Sequence, residues 1–314
     1  MRFEFYSEAL ADVPKLSVDG TVDNSIHFSH WEGNTTPAEV KADTSTEIAL
    51  NLVASPNYST LTNNIELVTN NHFDADGVLS VWTVLNGERA LEYRDLLVSA
   101  AEAGDFSEHT SDDGVRVSIV IQGSDQAGSN NDTPPPLAGW IAGHEVDDAR
   151  AYELVLPEVK KLLDDVNAYE SLWREGWNNV AAALESFSRG ESRVVEYKDS
   201  RISLITLAPE LMNPTVGISK HARGELFLIA TPTTGGWSYR LDYPYYSWAE
   251  TVTRPSIRRR DLSRALSSLN EKERNHDGRW EPYDREMTSA ARFIDGGSRL
   301  EPDEVVAVLN ECTT

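Results

Sequence analysis

Short apolar runs alternate with longer amphipathic ones along the first third of the chain. Leu16–Val18 is one such run and stops at Asp19-Gly20; Ser25–Phe28 is a second and stops at Ser29-His30-Trp31. "TPAEVKADTSTEIALNLV" follows, with Pro37 near its start and an apolar stripe through Ile48, Leu50, Leu52 and Val53, which predicts a helix. "NIELVT" predicts a strand that delivers "NHFDADG". "GVLSVWTVLN" then predicts a helix, and "EYRDLLVSAAEAGDF" another that ends at Gly104-Asp105. Strands alternating with helices predict a parallel sheet joined by right-handed crossovers.

Gln122 to Gly139 is rich in Gly, Ser, Asn and Pro and predicts a loop or linker. After it, Leu154, Leu156, Val159, Leu162 and Leu163, then Leu172, Trp173, Trp177, Val180 and Leu184, fall at helical spacing and predict two helices with these residues as core. Beyond Arg193, "RISLITLA", "GELFLIAT" and "WSYRLDYPYYSW" are strand-like, and "DLSRALSSLNEKE" and "PDEVVAVLNEC" are helix-like. The pattern describes an α/β chain of two domains. Residues 1–150 form a parallel-sheet domain; residues 151–314 form a helical connector and a smaller α/β domain with a mixed sheet.

Composition narrows the classes of function. With 40% hydrophobic and 9% aromatic residues, the 314-residue chain can bury a substantial core. No apolar run approaches the roughly 18 residues of a membrane span, and the opening "MRFEFYSEALADVPK" lacks the apolar core of a secretory leader. A single cysteine, Cys312, excludes an internal disulfide framework and a Cys-rich zinc site. The expected setting is therefore cytoplasmic, with no membrane partner. The net charge of −23 repels long nucleic acid, whose binding rests on phosphate neutralisation. Of the 28 basic residues, 21 are Arg, and an acidic, Lys-poor surface also suits a saline habitat.

The segment "NHFDADG" carries the chemistry. Ligands of open α/β sheets bind outside the carboxyl ends of strands, which is where "NIELVT" would put His72, Asp74 and Asp76. Carboxylates two positions apart can serve two adjacent cations, and carboxylate and imidazole ligands suit Mn²⁺ or Mg²⁺. Two such ions about 3.5–4 Å apart clamp both oxygens of a phosphoryl displacement and lower the pKa of a bridging water. The same residues also describe an Asx-rich turn that caps the helix beginning near Val78. His72 upstream and Ser80 downstream complete the much rarer string HxDxDGxxS.

That string resembles the first motif of the DHH phosphoesterase superfamily, which includes RecJ-like nucleases, oligoribonucleases and manganese pyrophosphatases. The resemblance implies that His72 and Asp74 hold one Mn²⁺ and Asp76 the other. The superfamily also carries a bridging aspartate, a DHH triplet and a fourth aspartate box. No DHH triplet occurs downstream of Asp76. Upstream, Ser29-His30-Trp31 stands where the triplet would, and Ser45-Thr46-Glu47 where the small-residue helix after it would. By resemblance His30 is a metal ligand, Trp31 replaces the substrate-facing second histidine, Asp19 is the bridging aspartate, and Asp105 in "AAEAGDF" completes the second metal. The motif order is then permuted: second, third, first, fourth. Taken singly, His30 also reads as a histidine packed beside Trp31, Asp19 as a "DG" turn, and Asp105 as a helix end. The SHW, HFDxDG and AGDF boxes also suggest a bacterial family with no established activity.

The one basic concentration runs from Arg254 through Arg258, Arg259, Arg260, Arg264 and Arg274 to Arg279. Guanidinium forks match phosphate bidentately, although such runs also form solvated faces. "PSIRRR", "DLSRALSSLN" and "HDGRW" resemble, in that order, the strand, helix and loop of the substrate domain that accompanies DHH domains. The expectation is a hydrolase of a small phosphoester or phosphoanhydride, such as a short oligonucleotide or nucleotide, acting through a water activated by two Mn²⁺ or Mg²⁺ ions. His30, Asp74 and Asp76 are its catalytic residues, and Arg258, Arg259, Arg260, Arg279 and Trp31 bind its substrate. The alternatives are a non-catalytic nucleotide or metal sensor with the same fold, and an unrelated α/β protein whose acidic turn caps a helix. His109, His144, His221 and His276 have no partner evident from spacing.

Overall fold

The computed structural model describes residues 1–124, 135–274, 277–283 and 287–312. Residues 125–134 of the expected linker, and His276, lie outside the described residues. The chain is an α/β protein of two compact units, Met1–Trp177 with Trp248–Pro255, and Asn178–Ser247 with Ser256–Thr314.

In the first unit, β1 (Arg2–Phe3), β2 (Leu16–Val18), β3 (Ile26–Phe28) and β4 (Leu67–Thr69) form a sheet in the order β1-β4-β2-β3. All its pairings are parallel. Leu16, Val18, Phe28 and Val68 are wholly buried, as expected of a parallel sheet covered on both faces. Because every strand runs the same way, Asp19, the Ser29-His30-Trp31 segment and the "NHFDADG" segment all emerge at one edge.

The helices α1 (Ser45–Ala54), α2 (Tyr58–Leu61), α3 (Ala75–Asn86), α4 (Arg94–Phe106), α5 (Asp112–Gln122), α6 (Pro136–Ala142), α7 (Asp148–Val155) and α8 (Val159–Asp164) complete the unit, and α9 (Glu170–Arg189) leads into the second. The helix expected from Pro37 starts only at Ser45, because Thr44 adopts an extended backbone and its hydroxyl accepts the Glu47 N–H at 3.2 Å. The two helices expected after the linker are instead three. Pro157 interrupts the first, and Asp165 caps a 3₁₀ turn, Val166–Tyr169, ahead of α9.

The second unit carries a six-stranded mixed sheet: β5 (Arg193–Tyr197), β6 (Ile202–Thr206), β7 (Leu226–Thr233), β8 (Gly236–Asp242), β9 (Arg279–Pro282) and β10 (Ser289–Ile294), in the order β5-β6-β7-β8-β10-β9. Only β6 and β7 pair in parallel. Side-chain alternation divides its core. Leu204, Leu228 and Leu241 pack with residues of α11 (Ser263–Lys272) and α12 (Pro302–Cys312). Ile205, Phe227 and Ile229 pack with Phe187 of α9 and Ile218 of α10 (Thr215–His221). "PSIRRR" is not a strand, since residues 255–260 lack regular structure and the Arg260 N–H donates to the Tyr243 hydroxyl at 2.8 Å. No helix among the described residues is long and apolar enough to cross a membrane.

Candidate metal centre

Asp19 follows β2 with its backbone in the left-handed region (φ 51°), which short polar residues tolerate best. One Asp19 oxygen, Oδ1, accepts hydrogen bonds from Ser45 Oγ at 2.8 Å and Trp31 Nε1 at 3.3 Å; the other, Oδ2, faces His72 Nε2 at 3.1 Å. The side chain is fully buried.

His30 follows β3 and is also fully buried. Its Nδ1 lies 2.7 Å from the Asp43 carbonyl, which can only accept, so Nδ1 carries the proton. Nε2 then presents a lone pair to three carboxylates, Asp105 at 3.1 Å, Asp19 at 3.4 Å and Asp76 at 3.6 Å. It forms no well-directed hydrogen bond with any of them. A lone pair facing three acids needs either a proton or a cation between them.

Asp74 and Asp76 divide the work of the acidic turn. Asp74 is the N-cap of α3 and accepts the Gly77 N–H at 2.7 Å, while its other oxygen lies 3.1 Å from His72 Nε2. Capping and site geometry coexist in the one side chain. Asp76 turns inward, fully buried, and its oxygens accept the backbone N–H groups of Ser45 and Thr46, each at 2.7 Å, at the N-terminus of α1. A Cβ on Gly77 would come within 2.7 Å of Asn70 Nδ2 and Tyr152 Oη and 3.1 Å of Asp19 Oδ2, so only glycine lets the start of α3 approach Asp19. Ser80 bonds the Gly77 carbonyl of its own helix.

Two groups of ligand atoms result, Asp19–His30–Asp76–Asp105 and Asp19–His72–Asp74, each with its atoms within 4.8 Å of one another. Ligands about 2.1 Å from a Mg²⁺-sized ion span up to about 4.2 Å across an octahedron, so both groups are of the right scale for a divalent cation. The donors are all carboxylate oxygen and imidazole nitrogen, the set that suits Mn²⁺ or Mg²⁺. The electrostatics agree with that fit. Burial, together with Asp19, pushes Asp76 up to about 7; burial and Asp76 push Asp105 well above the carboxylate range. Burial disfavours the charged forms of His30 and His72, but the surrounding aspartates overcome it and raise both well above the ordinary histidine value. Burial also opposes ionisation of Asp19, yet the proximity of His30 and His72 outweighs it and holds that carboxyl low. These directions favour protons, in the metal-free chain, at the places that a cation would take.

A model described as "Family of unknown function (DUF6687)" matches residues 1–300. The chain belongs to that family. No curated protein matches it. Among solved structures, a pGpG-specific phosphodiesterase, PggH from Vibrio cholerae, matches with a TM-score of 0.37 and 10% identity, covering 99% of this chain and 86% of the other. A likeness that distant carries no inference about activity.

In this DUF6687 chain the expected substrate arginines sit in the second unit. Arg258, Arg259 and Arg260 line a recess of about 580 Å³ with Ser200, Arg201 and Glu225. Arg279 is elsewhere on β9, paired with Glu281 at 2.6 Å and with Asp295. Arg259 stacks over Tyr243 at 4.2 Å. His109 bonds Asp112 at 2.9 Å, His221 stacks on Phe187 at 4.9 Å, and His144 bonds the Glu145 carbonyl at 2.6 Å; none joins the two groups.

Sequence reasoning missed the segment Trp248–Pro255, which belongs to the first unit although the chain on both sides belongs to the second. Trp248 packs 4.9 Å from the His30 ring and 4.9 Å from Trp31, and the Glu250 N–H donates to the His30 carbonyl at 2.7 Å. Arg254, read as a phosphate clamp candidate, is instead committed to Asp43 at 2.6 Å, Glu102 at 2.8 Å and Glu108 at 2.5 Å. Asp43 also accepts the N–H groups of Val252 and Thr253 and the Thr253 hydroxyl. Tyr152 of α7 was missed too. Its buried hydroxyl has no hydrogen-bond partner among the described residues, and it lies beside Gly77. No local pattern signals either feature.

Asp43→Ala would strand four donors at once, and the expected loss is about 2–4 kcal/mol of stability, measurable by urea denaturation at pH 7. Burial raises the Asp43 carboxyl, but Thr253, Val252 and Arg254 outweigh it and leave it below its ordinary value. Its contribution is therefore present above about pH 4 and lost as the pH falls through the folded-state value, so the difference between native and variant shrinks below pH 4.

Proposed function

We propose that this chain is a divalent-metal-dependent hydrolase of a small phosphoester or phosphoanhydride, such as a short oligonucleotide or nucleotide, built as a DHH-like site in permuted motif order. The observation that carries this reading is that two ligand groups, drawn from the segments after β2, β3 and β4 and from α4, share one carboxylate, Asp19. Asp19, His72 and Asp74 would hold one cation; Asp19, His30, Asp76 and Asp105 would hold the other, with Mn²⁺ or Mg²⁺ favoured by the donor set. Bound there, such ions supply Lewis acidity to a phosphoryl oxygen and make water nucleophilic at neutral pH.

The protein's own part is orientation. The Asp43 carbonyl fixes the His30 tautomer, so Nε2 points at the acids. The start of α1 holds both oxygens of Asp76. Trp31 and Trp248 pack against the cluster as partly buried indoles. Arg258, Arg259 and Arg260 are the candidates for the substrate's phosphate. One observation favours a non-catalytic sensor as the second reading: Trp31, unlike a histidine, cannot act as an acid or base near neutral pH.

Turnover separates the two. Mn²⁺-dependent hydrolysis of bis-p-nitrophenyl phosphate, a 5′-phosphorylated diribonucleotide or pyrophosphate is expected, lost with chelator and with Asp74→Asn. Tight Mn²⁺ binding without turnover of any of the three would instead mark a sensor. Ligation also requires Asp76 and Asp105 ionised and His30 and His72 neutral, against the direction in which each is shifted. Mn²⁺ binding at pH 7 should therefore release at least about one proton, seen as calorimetric enthalpies that differ between two weakly metal-binding buffers of unlike ionisation enthalpy, such as PIPES and imidazole. Equal enthalpies in the two buffers at pH 7 would contradict this.

A further inference from the structure

Trp31 stands where a DHH triplet would place its second histidine, and its side chain points inward. Its backbone is pinned: Trp31 N–H donates to Ser29 Oγ at 3.1 Å and its carbonyl accepts Asn34 Nδ2 at 2.8 Å. The ring is held between Trp248, with centroids 4.9 Å apart, and His72, at 5.2 Å. Packing thus leaves one direction for the only polar atom of the indole, and Nε1 reaches Asp19 Oδ1 at 3.3 Å. Asp19 is the carboxylate common to both ligand groups.

The chemistry of that contact is specific. An aspartate's terminal torsion is broad and roughly two-fold, so neighbours must set the carboxylate plane. Oδ2 faces His72 Nε2 at 3.1 Å, and two donors hold Oδ1, Ser45 Oγ and Trp31 Nε1. Both are neutral, so neither adds a positive charge that would compete with cations. An imidazole at this position could become protonated or turn into a ligand itself; an indole can do neither.

We propose that Trp31 is a positioning residue whose indole N–H fixes the Asp19 carboxylate and thereby sets the affinity of both cation groups. This rests on the two-cation reading of the site. Partners of metal ligands are commonly worth about 10–100-fold in metal affinity.

The test is Mn²⁺ titration of the full chain by calorimetry, with electron paramagnetic resonance of the bound ions. Trp31→Phe keeps a ring against Trp248 and His72 but has no N–H. It is expected to weaken Mn²⁺ binding about ten-fold or more and to change the spectrum of the coupled ion pair. Trp31→His, which restores a ring N–H, recovers part of that loss. A purely packing role would lower thermal stability and leave affinity and spectrum alone. Should Trp31→Phe not fold, the native chain decides: with ¹⁵N-labelled indoles and Mg²⁺ present, the Trp31 side-chain proton is expected to be protected from solvent exchange. A Trp31→Phe affinity within two-fold of native with an unchanged spectrum, or an indole proton exchanging at the solvent rate, overturns the proposal while the two-cation reading stands. A native chain that binds no Mn²⁺ overturns both.

Discussion

Asp19→Asn is expected to abolish tight binding of both cations and to lower metal-dependent turnover by about a thousand-fold or more, equivalent to about 4 kcal/mol. The fold should survive the change. The amide oxygen of the substituted side chain can still accept from Ser45 and Trp31. What is lost is the charge and the second oxygen, and both ligand groups depend on them. Substituting any ligand that serves one group alone should leave the other group's binding measurable. Calorimetry with Mn²⁺ reads the difference directly; one site of native affinity remaining in Asp19→Asn would show that this carboxylate is not shared.

Asp105→Asn should reverse its effect on stability with metal. In the metal-free chain the Asp105 carboxyl is buried beside Asp76 and raised well above its ordinary value. A carboxyl raised in the folded state favours folding when protonated, and this support is lost as the pH rises through the folded-state value. Asparagine carries no such dependence. At pH 8 without metal, Asp105→Asn should therefore be the more stable form, by about 1–2 kcal/mol and a few degrees of melting temperature, with the gap closing toward pH 5. With Mn²⁺ at about a thousand times its Kd, the native chain gains about 4 kcal/mol that the variant lacks, and the order inverts. Thermal denaturation at pH 8 with and without Mn²⁺ checks this. A native chain that melts higher in both conditions would mean that Asp105 is paired in the folded protein and strains nothing.

Much of the first unit was legible because short apolar runs that end in polar residues leave few alternatives to buried parallel strands. Leu16–Val18, Ile26–Phe28 and Leu67–Thr69 each lead into the residues singled out from sequence. Pro37 is a strong local signal for a helix start, but α1 begins only after Thr44, whose extended backbone and hydroxyl cap the Glu47 N–H. Trp248 could not be found: its role comes from contact with His30 and Trp31, and nothing in its neighbours encodes that. Arg254 shows the opposite failure. A run of arginines looks uniform in sequence, but burial against Glu102 and Glu108 separates this one from Arg258–Arg260. Strand β5 was not read because most of its side chains are exposed, so the apolar alternation that marks a strand is weak.

Mn²⁺ titration of the native chain by calorimetry at pH 8 asks whether a pair of cations sits on one shared carboxylate. Two ions per chain are expected, with binding lost when Asp74 and Asp76 are both replaced by asparagine. No binding at millimolar Mn²⁺, or the same isotherm from native and doubly substituted chains, would contradict this.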